Sequence, residues 1–296
     1  MMKSKLSSKN LAKAGLKLIP LILILSACTS STAPSFMKED IPRAVKDICK
    51  KEYQLNIITK LTGRTLWVYM PLENIVVKSP YPEKYTERFL VEDKRNQFNE
   101  KVLKINYMIK PVPETEKQQE MSLDKSVNTK IFNVLQVIRR VLFSMDNRQG
   151  KDNPIFFCIV TADIANGFEL KQIFHCLDLK KISYGFISQT EYQHRIVQET
   201  EVSSQIIGDK EGQHLIYHDV TLEDFLADQI QNRIRIKFQK PEVEKNVDID
   251  REVMKVVSLT LNTYAFKDFT LVEMSNLDSG AKTILNQAAV SSGPRE

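Results

Sequence analysis

Residues 154–162, with the sequence PIFFCIVTA, constrain the fold more than any other segment of this 296-residue chain. The segment is apolar almost without a break, and a strand of this kind is typically buried on both faces. It follows residues 124–146, where Val127 and Ile131 begin a helical apolar spacing directly after Asp124, a residue type that caps helices. The chain is therefore predicted to pack helices against a sheet.

Further segments alternate between strand and helix patterns. Alternating apolar residues predict a hairpin around Thr62-Gly63, a strand at 102–109, a strand at 168–179 and a second hairpin around GDKEG at 208–212. Helical spacing with capping residues predicts further helices at 42–53, between 180 and 198, at 221–238 and at 248–264. These elements together predict an α+β fold in which helices pack on a mostly antiparallel sheet, and they allow two lobes.

Residues 111–123, PVPETEKQQEMSL, are polar and contain two prolines. This composition is typical of a connection between structured regions. We therefore predict a linker at 111–123 between an N-terminal lobe at 41–110 and a C-terminal lobe at 124–296.

Two segments of the chain resemble each other. FFCIVTADIANG at 156–167 and FTLVEMSNLDSG at 269–280 each follow a predicted helix, and their alignment places Asp163 over Asn276 and Gly167 over Gly280. Such a similarity is expected of a duplicated helix–strand unit, although twelve residues can also match by chance.

The first 27 residues have the composition of a secretory signal peptide. An apolar segment, 18–25, is broken only by Pro20 and is shorter than the ~20 residues that span a bilayer. Leu25-Ser26-Ala27-Cys28 follows, and this sequence resembles the lipobox of bacterial lipoproteins. Upstream of it lie five lysines and no acidic residue, namely Lys3, Lys5, Lys9, Lys13 and Lys17.

The lipobox resemblance implies that Cys28 becomes the lipidated N-terminus of the mature chain, followed by a tether at 28–40. Two or more acyl chains would give a stable membrane anchor, since each buried methylene contributes ~0.8 kcal/mol. Thr29 after the cysteine implies the outer membrane under the sorting rule of such lipoproteins. The expected location is therefore the bacterial cell envelope, with the domain in the periplasm or at the surface.

The net charge of +5 comes from the signal peptide alone. Without its five lysines, 37 basic residues remain against 37 acidic ones. A neutral mature chain has no basic field to concentrate nucleic acid, so nucleic-acid binding is not expected.

Three further cysteines follow Cys28. Export permits disulfides, but an odd count leaves at least one thiol unpaired within the chain. Cys158 lies in the apolar strand and is predicted to be a core residue. The sequence leaves open whether a disulfide forms among Cys49, Cys158 and Cys176.

Few residues offer catalytic chemistry. Asp163 follows the apolar strand, where α/β enzymes place carboxylates, but TADIANG also suits an aspartate that stabilises a turn. Nine glycines in 296 residues leave little of the backbone freedom that many enzyme sites use. The sequence predicts no cofactor, and it predicts no metal site although four histidines are possible ligands, namely His175, His194, His214 and His218.

Aromatic residues give the best indication of a binding surface. Trp67 and Tyr69 share one face of a strand, and Tyr81 and Tyr85 lie in a loop with two prolines. Aromatic residues of this kind are frequent interface anchors, although Trp67 and Tyr69 also suit a core.

The favoured hypothesis is therefore a lipid-anchored envelope protein without enzymatic activity that binds a partner protein or supports envelope assembly. One alternative is a hydrolase that uses Asp163 or a histidine. Another is a carrier of a lipid or another apolar ligand.

Overall fold

The computed structural model describes residues 40–92, 94, 96–143, 153–239 and 243–292. The lipobox and Cys28 lie outside these residues. The described helices are α1 Ile41–Tyr53, α2 Lys125–Leu142, α3 Cys176–Ser183, α4 Gln189–His194, α5 Leu222–Gln239, α6 Ile249–Thr263 and α7 Gln287–Ser292.

Several helices begin where the sequence predicts a cap. The carboxylates of Asp40, Asp124 and Asp248 accept hydrogen bonds from the first turns of α1, α2 and α6. Such bonds satisfy N–H groups that have no partner inside the helix. The Ser188 side chain does the same for the N–H of Glu191 in α4.

The described strands are β1 Ile58–Thr62, β2 Thr65–Leu72, β3 Val76–Glu92, β4 Gln97–Asn99, β5 Val102–Leu123, β6 Phe156–Asp163, β7 Phe168–His175, β8 Val197–Val202, β9 Leu271–Asn276 and β10 Lys282–Asn286. Sheet 1 has the order β1-β2-β6-β7-β8. Sheet 2 has the order β10-β9-β5-β3, and β4 also pairs with β5. One pair in each sheet is parallel, β2 with β6 and β5 with β9, and the others are antiparallel. The predicted α+β class is therefore confirmed.

The apolar segment PIFFCIVTA forms the centre of sheet 1. All eight residues of β6 are buried, as the continuous apolar pattern predicts. One side of this sheet packs Trp67, Tyr69 and Phe156 with Phe225 of α5. The opposite side buries the intervening residues, including Phe157 and Ile159, so helices or loops cover both faces.

A second core lies between sheet 2 and the helix pair α5–α6. Ile105 and Met274 of the sheet pack in one cluster with Ile230 of α5 and Val257 of α6. Because Phe225 of α5 belongs to the first core, α5 contributes to both. The described residues between Asp40 and Ser292 belong to a single compact unit.

The predicted linker at 111–123 is instead the second half of β5, paired with β3. The polar composition was misleading because this part of β5 is exposed on both faces. Proline is tolerated there since an edge strand leaves some N–H positions without a ladder partner.

The predicted hairpin around GDKEG is also different. β8 ends at Val202, a short 3₁₀ helix follows at Ser204–Ile206, and the chain then runs without a strand to α5. The Asp209 carboxylate accepts the N–H groups of Glu211, Gly212 and His214, so this loop is organised by a side chain rather than by a strand partner.

The sequence similarity between 156–167 and 269–280 corresponds to a structural repeat. β1-β2-β6-β7 and β4-β5-β9-β10 share the same order and the same strand directions. After the parallel pair, the N–H of Ile164 donates to Leu72 and the N–H of Leu277 donates to Tyr107, both to the carbonyl oxygen. Gly167 and Gly280, aligned by the sequence, have φ angles of 71° and 73°. The chain thus contains two copies of one β-unit.

Candidate interaction surface

The longest strands form a two-stranded segment that we call the ribbon, residues 78–88 of β3 and 112–121 of β5. β3 is the edge strand of sheet 2. On the other edge of β5, β9 pairs only with residues 102–107. Within the described part of the chain, both outer edges of the ribbon therefore have backbone groups without a strand partner.

Proline residues explain why the ribbon is irregular. Lys78 pairs with Met121 and Glu83 with Gln119, so β3 carries three extra residues at this point. This segment includes Pro80 and Pro82, which cannot donate to a ladder. Bulges of this kind bend a strand and increase its twist.

A second irregularity follows on the partner strand. Glu87 pairs with Thr115 and Phe89 with Pro111, which leaves two extra residues on β5. Pro113 lies in this interval. Each register shift therefore coincides with proline residues, the first on β3 and the second on β5.

The side chains of the ribbon are exposed on both faces. Tyr81 is 86% exposed and Tyr85 is 47% exposed. Ion pairs link the two strands, with 2.6 Å between Lys117 Nζ and Glu87 Oε2. Two paired strands without a covering layer are only marginally stable in water. The exposed faces and unpaired edges of the ribbon are therefore surfaces that another molecule could cover.

A groove of about 420 Å³ lies where the ribbon meets the end of α5. Tyr85, Arg88 and Leu90 contribute from β3, and Phe238 contributes from α5. The ring of Phe89 packs edge-to-face on Phe238 with 5.3 Å between centroids, which forms an apolar base. Exposed tyrosine and leucine beside such a base are the side chains that interface cores use.

The two other predicted anchors, Trp67 and Tyr69, are buried in sheet 1. Trp67 is 2% exposed and donates its indole N–H to the carbonyl oxygen of His218 at 2.9 Å. Tyr69 is fully buried and donates to the carbonyl oxygen of Asp209 at 2.6 Å. Both hold the loop between β8 and α5 onto the sheet, so neither is available to a partner in this structure.

Asp163 stabilises a turn. Its carboxylate accepts the backbone N–H of Ile75 at 2.8 Å, of Asn74 at 3.2 Å and of Asn166 at 3.1 Å. Burial favours the neutral form, but these bonds and one from the Asn166 amide outweigh it and hold the pKa of Asp163 below its usual range. Both carboxylate oxygens are engaged, in keeping with the turn interpretation of TADIANG.

His214 lies between two carboxylates, an arrangement that the sequence does not reveal. Its Nδ1 is 2.5 Å from Asp209 Oδ2, and its Nε2 is 2.9 Å from Glu169 Oε2. Burial opposes the charged ring, but the two carboxylates outweigh it and raise the pKa of His214. The residues come from β7 and the distant loop, so no sequence spacing could have indicated the contact.

The other histidines are dispersed. His175 Nδ1 is 3.5 Å from Asp178, and the carbonyl oxygen of His194 accepts the side chain of Gln229. His218 packs against the ring of Trp67. Within residues 40–292, among those that the structure describes, no group of three or more histidine, cysteine, aspartate or glutamate residues is placed to hold a metal ion.

Asp178 is the centre of a second buried ionic cluster. It accepts from Arg195 Nη1 and from the hydroxyl of Tyr264, both at 2.7 Å. Burial penalises the ionised carboxylate, yet these donors and His175 lower the pKa of Asp178. Because Tyr264 follows α6 and Asp178 lies in α3, the cluster links α3 to the end of α6.

Comparison with protein-family models, with curated proteins and with solved structures found no match to this chain. Among the described helices, none is long and apolar enough to cross a membrane.

Proposed function

We propose that this chain is a lipid-anchored protein of the bacterial cell envelope whose domain binds a partner protein, without enzymatic activity, in an assembly role. The anchor would be diacylglycerol on Cys28, as the resemblance of residues 25–28 to a lipobox implies. The domain would lie in the periplasm or at the surface, at the outer membrane.

The ribbon is the observation that carries the partner-binding proposal. Its edges offer main-chain N–H and C=O groups to which an extended peptide could add as a strand. Tyr81 and Tyr85 would then contribute apolar contact area beside the groove at Phe238.

The engagement of Asp163 and His214 supports a non-enzymatic role. A general base needs a lone pair directed at the substrate proton. The two Asp163 oxygens face N–H donors, and both ring nitrogens of His214 face carboxylates.

Site-specific photocrosslinking in cells tests the partner proposal. A benzophenone amino acid replaces Tyr81 or Tyr85 in the full-length chain, and the same replacement of Tyr184, which is 63% exposed at the end of α3, is the matched control. We expect one protein adduct from both ribbon positions and none of that mass from Tyr184. The absence of a ribbon adduct above background, or the same adduct at all three positions, would contradict the proposal.

The anchor is tested separately. Cys28→Ser should abolish lipidation, and the chain should move from the detergent phase to the aqueous phase in a phase-partition assay. Unchanged processing and partitioning in this variant would show that Cys28 carries no lipid.

A further inference from the structure

A groove of about 460 Å³ lies beside α1, distant in sequence from the ribbon. The ladder between β1 and β2 ends at the pair of Ile58 and Tyr69. Pro71, two residues further along β2, has no N–H with which the ladder could continue. Residues 55–57 consequently lie outside the ladder, and they line the groove together with α1.

The floor of this groove is apolar. Leu55, Ile57 and Ile164 line it and are 7%, 2% and 9% exposed. Pro71 completes the floor from β2. These side chains are held by the domain core, so the floor exists before any ligand arrives.

The rim of the groove carries three lysines and no acidic residue. Lys46 and Lys50 are four residues apart on α1, so they lie on one helix face. Lys210 comes from the loop that follows β8. Throughout the described ranges, none of the three makes an ion pair.

Acidic residues next to these lysines already have partners. The carboxylate of Asp47 lies 3.6 Å from Nε of Arg43. Asp209, which precedes Lys210, faces His214 and three backbone N–H groups. The carboxylate of Glu211, which follows Lys210, accepts from the side-chain amide of Gln213 at 3.1 Å. No carboxylate of the described residues therefore forms an ion pair with a rim lysine.

A cationic rim around an apolar floor fits an amphiphile with a negatively charged head. Lysine binds phosphate as a point charge, and its methylene stem can lie on apolar surface while the ammonium group stays in water. Near an anionic membrane each lysine contributes a roughly five-fold gain in partitioning.

The position of α1 in the chain brings this groove close to a membrane if Cys28 is lipidated. Ile41 begins α1 only thirteen residues after Cys28. Thirteen residues span at most about 45 Å when fully extended. Tethering of this kind gives an effective concentration on the order of millimolar, so a weak site would be occupied.

We propose that the groove rimmed by Lys46, Lys50 and Lys210 binds the phosphate headgroups of anionic phospholipid in the membrane that holds the anchor. This inference deepens the proposed function and rests on its lipid anchor. Headgroup binding would hold α1 against the bilayer and give the tethered domain a defined orientation.

Vesicle binding by the anchor-free chain tests the inference. The mature chain with Cys28→Ser is mixed with vesicles of phosphatidylcholine alone or with added phosphatidylglycerol, at an ionic strength of about 0.15 M, and binding is measured by co-sedimentation. The test variant replaces the three rim lysines by glutamine. The control variant makes the same charge change elsewhere, at Lys125, Lys267 and Lys282, all exposed. Far-UV circular dichroism verifies that both variants fold.

We expect the parent to bind only vesicles with phosphatidylglycerol, and the rim variant to lose about 100-fold in partition coefficient at five-fold per lysine. The control variant should lose less than about three-fold, because its three lysines are scattered. Fewer of them can lie within one Debye length, about 8 Å, of the vesicle surface at the same time. An equal loss in both variants would overturn the inference, as would no binding by the parent.

Two further outcomes separate related explanations. Rim-dependent binding of inorganic phosphate together with no binding to vesicles at matched ionic strength would show a site for free phosphate and overturn lipid binding. If only the groove proposal fails, processing and detergent partitioning of the full-length chain still depend on Cys28 while the mature chain does not bind anionic vesicles. If only the anchor proposal fails, Cys28→Ser leaves processing and partitioning unchanged while the mature chain still binds anionic vesicles. The two proposals can therefore fail independently.

Discussion

Replacement of Asp163 by alanine removes the acceptor that connects the turn after β6 to the chain after β2. The Ile75 N–H is buried and would lose its only carboxylate partner, at a cost of about 1–3 kcal/mol. The N–H groups of Asn74, Ala165 and Asn166 lie at exposed residues and can turn to water, at roughly 0.5–1 kcal/mol each. The expected loss in the free energy of unfolding is about 3–5 kcal/mol.

Asp163→Asn gives a graded comparison. The amide keeps one acceptor oxygen, as Asn276 does at the aligned position of the other β-unit, where it accepts from Asp278 and Ser279. It presents a donor to the buried N–H of Ile75, so we expect a loss of about 2 kcal/mol. The order of stability should be wild type, asparagine, alanine.

Urea unfolding of the Cys28→Ser chain measures these differences. Trp67 is the single tryptophan and is buried, so its fluorescence reports the loss of sheet 1. In thermal unfolding of the same chain, at about 2–4 °C per kcal/mol for a domain of this size, Asp163→Ala should lower Tm by roughly 6–20 °C. Asp47→Asn, in an exposed pair with Arg43, is the control and should change stability by less than about 0.5 kcal/mol.

The pH dependence of the free energy of unfolding tests the direction of the Asp163 pKa shift. The lowered pKa of Asp163 means that its contribution is present above the unfolded pKa of about 3.9 and is lost as pH falls through the folded pKa. The gap between wild type and asparagine should therefore close in acid. A loss below about 1 kcal/mol for alanine at neutral pH, or a gap that stays constant in acid, would refute the turn-stabilising role.

Three other expectations follow from buried groups. His214→Gln should cost about 3–5 kcal/mol by leaving two buried carboxylates without a cation. Because the pKa of His214 is raised, its contribution to stability is complete below about pH 6.5 and is lost at higher pH. Calorimetry should therefore show the difference in stability between wild type and His214→Gln shrinking in alkali, and a growing difference would contradict this. Arg195→Met should lower the free energy of unfolding by about 3–5 kcal/mol, because Asp178 loses its nearest cation and keeps only Lys181 at 4.0 Å. A Tm within about 2 °C of wild type would argue against this expectation. Burial raises the pKa of all three described thiols, to about 12 for Cys49. A thiol reagent at neutral pH should therefore label no cysteine in the folded Cys28→Ser chain and three in urea, and rapid labelling of the folded chain would refute the burial of Cys49, Cys158 and Cys176.

The helices were predictable because their signals are local. Asp124 and Asp248 begin α2 and α6 as expected, and each helix carries apolar residues at helical spacing. The continuous apolar pattern of β6 likewise identified a central strand. These features depend on neighbours within one or two turns, which a sequence displays directly.

The ribbon could not be predicted as a strand pair. Residues 111–123 are exposed on both faces, so no alternation of apolar and polar side chains marks them. Their pairing with β3 also depends on a register that two bulges within the ribbon shift. The sequence placed Tyr81 in a loop because of its flanking prolines; the structure places it in β3, where it is exposed.

The sequence did not reveal the sites whose side chains come from distant parts of the chain. The lysine rim combines α1 with a loop more than 150 residues away, and His214 meets Glu169 across 45 residues. Only the three-dimensional fold brings such side chains together. The buried positions of Trp67 and Tyr69 likewise depend on the loop that covers sheet 1.

The two β-units are interleaved along the chain, and this has a consequence for biosynthesis. Thr65 of β2 pairs with Phe156, 91 residues later, and Val102 of β5 pairs with Leu271, 169 residues later. Neither sheet can form its parallel pair while the corresponding distal strand is still inside the ribosome. Contacts of such large sequence separation slow folding. The nascent polypeptide should therefore remain incompletely folded until its synthesis is nearly finished. A chain that is still unfolded can pass through a narrow pore before its sheets form.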